Sequence, residues 1–281
     1  MTPEACPRVP ARTPFPVDRP NASEGDSSMN TSQALRRYRR CRRTAVIMLS
    51  FVASTACLPV VHSQTGDGAF DTYEKITGGF RAFHGDTFPF SKWVCEGGVL
   101  HSIKGRRVDL ITREEYEDFE LELDWKVTSG ANSGILYGVS EAGTETFWSG
   151  PEMQINDDPN HPDGLQAITS AGALYDLIPP NDLKRLKPTG EYNHVRIVSH
   201  GGHVEHWLNG AKILEYDWDS SAIRDAIGRT KFATAPLFMK HRKGHIALQS
   251  EGDEVWFRNI RIRRLPAGAM GPKPTSPNSY P

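Results

Sequence analysis

Along "FELELDWKV", Phe119 to Val127, apolar and charged residues alternate without a break. Phe119, Leu121, Leu123, Trp125 and Val127 fall on one side, and Glu120, Glu122, Asp124 and Lys126 on the other. A period of two predicts a strand with one buried face. "SGILYGV" (133–139) follows the turn-rich "TSGAN". Its Ile135, Tyr137 and Val139 share one face, while Gly134 and Gly138 on the other let something approach the sheet closely. "YNHVRIVSHGGHVEHWLNGAKILEYD" (192–217) reads as three strands and two turns. Asn209-Gly210 marks the second turn, because both central residues of a type I′ hairpin need positive φ. "GHIALQS" and "EVWFRNIRIRRL" add two strands on either side of a Gly252-Asp253 turn. One helix is expected, over Ser220–Phe232, with Ser220 or Ser221 as its cap. Many short alternating strands with almost no helix predict an all-β fold, an antiparallel β-sandwich of jelly-roll type with a minor helix.

One strand breaks the apolar-in, polar-out rule in an informative way. In "GPEMQINDD" (150–158), Glu152, Gln154 and Asn156 alternate with Met153 and Ile155. Three hydrogen-bonding side chains thus stand about 6–7 Å apart on one face. A solvated face or the floor of a cleft would each place them so. Pro151 at the strand's start and the polar loop after it favour the cleft.

Charge divides the chain. Residues 1–63 hold nine Arg and four acidic residues, leaving 24 basic and 30 acidic residues in 64–281, a net charge of −6. The acidic part has scattered Lys and Arg, which argues against nucleic acid as a partner. "RRYRRCRR" (36–43) followed by the apolar "TAVIMLSFVASTACLPVV" (44–61) reads as an export signal. The apolar run is marginal for spanning a bilayer, so no stable membrane span is expected after processing. The expected locations are periplasmic or secreted, with Cys57 a weak candidate for lipid anchoring. Residues 1–63 are therefore read as disordered N-terminus and signal peptide, 64–267 as one β-sandwich domain, and 268–281 as a disordered tail. Of the four cysteines only Cys95 lies beyond any cleavage site. It is expected to be a lone structural thiol.

The segments "DLITREEYEDFELELDWKVTSGANSGILY", "GPEMQINDD…HPDG", "AGALYDL", "HWLNG" and "IALQSEGDEVWFRNIRIRRL" resemble, in order and spacing, the 3-keto-disaccharide hydrolase family. Together they span nearly all of 70–265. The resemblance implies a concanavalin A-like sandwich and cleavage of the glycosidic bond of 3-keto-disaccharides or 3-keto-glycosides. A ketone at C3 acidifies the C2 hydrogen. A base removes it, the C1 substituent is expelled by elimination, and water adds to the enone. That chemistry needs a base near C2, a stabiliser for the enolate oxygen and an acid at the leaving oxygen. A divalent cation is one way to stabilise the enolate, although no closed ligand motif such as H-E-x-x-H is present.

On this reading Glu152, His161 and Lys240 are the catalytic candidates. Glu152 is the base or a metal ligand, His161 a base or ligand with Asp163 close by, and Lys240 a group to polarise the ketone. Asn132, Gln154, Asn156, Tyr175, His206 and Gln249 are the substrate-binding candidates. Each has a plainer alternative. His161 and Lys240 could be solvated loop residues, Asn132 a turn residue, and His206, which shares a face with Val204 and Leu208, a core histidine. Two other functions stay open at this stage: a non-catalytic, lectin-like carbohydrate-binding module, and a plain glycosidase acting on unoxidised polysaccharide.

Overall fold

The computed structural model describes residues 72–267 of the 281. The export signal, Cys57 and the tail 268–281 lie outside them. The described chain forms thirteen strands: β1 Glu74–Lys75, β2 Phe80–Ala82, β3 Trp93–Glu96, β4 Val99–Ser102, β5 Leu110–Tyr116, β6 Phe119–Val127, β7 Asn132–Val139, β8 Glu152–Asn156, β9 Asn193–His200, β10 His203–Leu208, β11 Ala211–Asp217, β12 Gly244–Leu248 and β13 Val255–Arg264. One α-helix, α1 Ser221–Ile227, precedes β12. The first sheet has the order β11-β10-β9-β6-β13-β4-β3 with β1 also on β13, and the second the order β2-β5-β12-β7-β8. Every pairing given for these strands is antiparallel.

The core lies between the sheets. Phe119, Leu121, Leu123, Trp125 and Val127 of β6 meet Ile135 and Tyr137 of β7 in one buried cluster, as the alternation requires. The charged face of β6 is less open to water than its pattern implies. Glu120 is buried, with Arg263 and Arg196 bonded to it. Asp124 accepts from Arg258 and Asn259 and pairs with His194. Arginines on β13 and β9 thus satisfy the carboxylates across the strands.

The hairpin turns follow the sequence signals. Asn209 and Gly210 have φ of 49° and 87°, the left-handed values that a tight antiparallel return needs. β12 and β13, by contrast, do not form a hairpin. They belong to different sheets, so the Gly252-Asp253 turn carries the chain from one layer to the other. The helix is also shorter than expected. Ser220 caps it by accepting from Ile223 N–H, but it ends at Ile227, before Gly228, and residues 231–234 form a separate 3₁₀ turn.

Cys95 is disulfide-bonded, which corrects the expectation of a lone thiol. That expectation sets the three upstream cysteines aside together with the leader.

Candidate active site

The pairing of β7 with β8 sets Asn132 opposite Asn156, Gly134 opposite Gln154, and Leu136 opposite Glu152. Residues directly opposite in an antiparallel pair share a face. Met153 and Ile155 enter the core, so Glu152, Gln154, Asn156 and Asn132 stand on the outer face of the second sheet. Gln249 joins them from the end of β12, where its N–H donates to Gly134 O at 2.9 Å. An apolar patch of Ile111, Leu136, Val139 and Ala247, with Phe83 and Phe147 against it, continues the same face.

This face is polar without being solvated. Gln154 and Asn156 are each only 1% exposed, Gln249 is 5% and Glu152 is 8%. Both side-chain atoms of Gln154, and the side-chain oxygens of Asn132, Asn156 and Gln249, are buried without a partner in the protein. A buried amide atom with no partner costs about 1–3 kcal/mol, and folded proteins rarely tolerate several together. Their gathering on one face is the mark of a surface built for a ligand rich in hydroxyl groups.

Glu152 lies across Gly134. A Cβ built on Gly134 would stand 2.6 Å from Glu152 Cδ and 2.8 Å from its Cγ. Only glycine leaves room for the carboxyl there. Burial, followed by the charges of Glu251, Asp109 and Asp163, pushes Glu152 up to about 8, while the Lys231 ammonium pulls the other way. Asp109 is raised to about 6 by burial, against the hydrogen bonds from the Thr146 hydroxyl at 2.5 Å and Ser250 N–H at 2.8 Å.

Residues 172–178 cover the free edge of β8. Gly172 N–H donates to Gln154 O at 2.8 Å, Gln154 N–H to Ala173 O at 3.1 Å, and Tyr175 N–H to Glu152 O at 3.0 Å. Tyr175 is half-buried beside the site, and burial with the nearby charges of Asp163 and Glu152 holds its phenol up near 12. The Lys231 ammonium sits 4.8 Å from the centre of the Tyr175 ring.

His161 begins the short 3₁₀ turn Pro162–Leu165, its Nδ1 accepting from Asp163 N–H at 3.1 Å. It reaches the neighbourhood through Asp163, whose charge acts on both Glu152 and Tyr175.

One expected residue stands elsewhere. His206 is fully buried in the core, with Nε2 2.8 Å from the Tyr137 hydroxyl and Nδ1 3.2 Å from Gly172 O. Its even spacing with Val204 and Leu208 turns it inward, and it does not reach the outer face. Lys240 is exposed after a turn. Lys231 is a cation whose charge acts on Glu152. Sequence reasoning misses Lys231, Asp109 and Glu251. The expected helix absorbs Lys231, and the other two arrive from loops with no periodic signal.

For a divalent cation, the Glu152 carboxyl and the amide oxygens of Gln154, Asn132 and Gln249 are of the hard-oxygen type that Mg²⁺, Ca²⁺ or Mn²⁺ accepts. Among the described residues, the group of three His, Asp, Glu or Cys side chains close enough to hold an ion is His203, Glu205 and Glu215. It lies on the other sheet, and Lys212 bonds both of its carboxylates.

Hollow size does not by itself pick out the site. A hollow of about 1070 Å³ beside Asp124, His194, Arg258 and Arg261 lies on the first sheet, where Asp124 is already saturated with donors. Another of about 440 Å³ lies past the end of β8, lined in part by Asn156, Asp157 and Thr189. The unmet buried amides locate the site more surely than volume does.

An antiparallel β-sandwich whose outer face gathers buried amide oxygens without a partner around one carboxyl is the class of protein that the fold and the site define. Comparison with known proteins narrows this. Residues 70–263 match the 3-keto-alpha-glucoside-1,2-lyase-like domain, and the chain belongs to that family. A 3-keto-disaccharide hydrolase of Bacteroides thetaiotaomicron is 33% identical over 231 residues, covering 71% of this chain and 79% of that protein. Two crystal structures from Parabacteroides distasonis, both assigned as glycosyl hydrolases, are similar at 29% and 30% identity with TM-scores of 0.64 and 0.56. Each covers 69% of this chain, and the matches span 94% and 100% of theirs.

Proposed function

We propose that this chain, a carbohydrate-active hydrolase, cleaves the glycosidic bond of 3-keto-disaccharides or 3-keto-glycosides at the outer face of β7 and β8. The observation that carries the reading is Glu152, a buried carboxyl lying over Gly134 among amide oxygens that have no partner in the protein. In this reading the Glu152 carboxylate takes the C2 proton of the oxidised sugar. Gln154, Asn132, Asn156 and Gln249 hold its hydroxyls and fix C2 against the base. The leaving oxygen departs toward the Tyr175 and His161–Asp163 side, where Tyr175 keeps its proton at neutral pH. A water then adds to the enone. A divalent cation bound by Glu152 and the amide oxygens would add polarisation of the C3 ketone. Export, to the periplasm or out of the cell, completes the proposal and is supported by the basic and apolar segments at 36–61.

The test is incubation with a 3-keto-disaccharide. Free 3-ketoglucose should appear faster than in buffer, and Glu152→Gln should lose at least about a hundredfold in rate with its fold intact. Saturable binding without product would favour a lectin-like module instead. Release of reducing ends from unoxidised glucan would favour a plain glycosidase.

A further inference from the structure

Lys231 stands on the 3₁₀ turn Lys231–Thr234. The turn is anchored from below. Phe232 is buried and stacks on Phe238 with ring centres 3.9 Å apart and planes 5° from parallel. The Thr230 side chain caps the turn by accepting from Phe232 N–H at 3.2 Å. With its backbone fixed this way, the Lys231 ammonium reaches into a bay of three rings: Tyr175 at 4.8 Å, Phe232 at 5.2 Å and Phe147 at 5.4 Å from the ring centres. Ring faces attract a cation without neutralising it.

Two other cations of the neighbouring loops are held in ion pairs. Arg107 is bonded to Glu251, and Lys184 to Asp158 at 2.5 Å. Among the described residues, no carboxylate lies within ion-pairing distance of Lys231. Its field nevertheless acts on Glu152. Among the described residues Lys231 is thus a positive charge without an ion-pair partner, and its field reaches the carboxyl that faces the polar row. In water a lysine would be free to swing. Here, although the residue is exposed, three ring faces within 5.4 Å of the ammonium favour this position of the charge, and a charge already in place is what an oxyanion partner needs.

From this geometry we infer that Lys231 is a catalytic residue whose ammonium pairs with the oxyanion formed at C3 of a 3-keto sugar when Glu152 takes the C2 proton. The inference rests on the function proposed above and assigns it a residue. The step balances. The C2–H bond breaks and its proton goes to the Glu152 carboxylate. The bonding pair forms the C2=C3 double bond as the C3=O π pair moves onto oxygen, opposite the Lys231 charge. The oxygen pair then re-forms C3=O, the C2=C3 π pair moves to C1=C2, and the C1–O bond breaks with its pair on the leaving oxygen, which takes a proton from the Tyr175 side or from water. Phe147, Tyr175 and Phe232 act as positioning residues, holding the ammonium where the oxyanion develops.

The test uses the purified protein with a 3-keto-glucoside, comparing wild type, Lys231→Met and Lys231→Arg. Lys231 is exposed, so the Met variant should fold, and thermal unfolding checks this. Lys231→Met should lose roughly a hundredfold to a thousandfold in kcat, with a much smaller change in KM and an equal loss in exchange of the C2 hydrogen with deuterated water. Lys231→Arg should recover part of the rate, since it keeps the charge. A wild type that turns over while Lys231→Met is equally fast overturns the inference and leaves the proposed function standing. So does an Arg variant no better than Met, or activity abolished by EDTA and restored by Mn²⁺ in wild type and Met variant alike. A wild type that neither cleaves the 3-keto-glucoside nor exchanges its C2 hydrogen overturns the proposed function, and this assignment falls with it.

Discussion

Glu152 is a carboxyl that the fold makes reluctant to ionise. Burial is the largest reason, and the like charges of Glu251 and Asp109 add to it, raising it from 4.5 to about 8. A base must be ionised to take a proton. The account therefore predicts that kcat/KM for a 3-keto-glycoside rises as pH increases through about 8 and levels above it; a rate already at its plateau at pH 6 would contradict Glu152 as the base. The same shift has a consequence for stability. The unfolded chain loses this proton near 4.5 and the folded chain near 8, so the stability contributed is full below 4.5 and is lost as pH rises toward 8. Glu152→Gln removes the liability. In urea unfolding at pH 8.5 the Gln variant should be more stable than wild type, by an amount on the order of a few kcal/mol, while being nearly inactive. A variant that is both less stable and less active at that pH would show that the carboxylate is structurally needed.

At the scale of elements, the site is a property of how β7 and β8 are paired. The alternation in "EMQIN" makes the polar row visible in the sequence, because a strand's two faces are written in odd and even positions. Asn132 and Gln249 can be named as candidates, but only the register places them beside that row. Gly134 is where sequence and geometry meet. Its missing side chain is legible as room for a close approach, and what occupies the room is the Glu152 side chain. Gly134→Ala would drive a Cβ into that side chain. The expected result is a loss of at least about tenfold in kcat/KM, since displacing a base by about an ångström is enough to do this, with a modest change in melting temperature. Wild-type rates in this variant would mean that Glu152 is not held as described. What stays illegible is contributed by irregular segments. Helix-like spacing carries the expected helix through Lys231, whereas Gly228 follows its last turn, and the 3₁₀ turn that follows aims the ammonium at the site. Asp109 and Glu251 sit at strand ends, where no period marks which way a side chain points.

Across the whole molecule, the two sheets are joined through a buried polar chain that also supports the site. His206 on β10 bonds the Tyr137 hydroxyl of β7 through Nε2, and Tyr137 in turn bonds the Tyr216 hydroxyl at 2.8 Å. Gly172 O, 3.2 Å from Nδ1, can only accept, which makes Nδ1 the donor and Nε2 the acceptor from Tyr137. Gly172 then donates to Gln154 O on the edge of β8. Burial lowers His206 from 6.5 to about 4, so the unfolded chain takes up a proton first. The stability it contributes is present above 6.5 and is lost as pH falls toward 4. His206→Leu leaves the Tyr137 hydroxyl and the Gly172 carbonyl short of a partner and should cost roughly 2–4 kcal/mol in urea unfolding at pH 7, with a smaller deficit at pH 4.5. An equal deficit at both pH values would remove the titration from the account. The sandwich itself is plain from strand alternation and turn chemistry. The assignment of strands to sheets is not, since β12 and β13 look like a hairpin in sequence and yet lie in opposite layers.

The most direct measurement is a crystal structure of the Glu152→Gln protein soaked with a 3-keto-glycoside. The account predicts sugar density against the outer face of β7 and β8, with C2 nearest the substituted side chain at position 152 and ring hydroxyls on Gln154 and Gln249. Sugar bound only in the hollow on the first sheet beside Asp124 and His194, or past the end of β8 near Thr189, would contradict it.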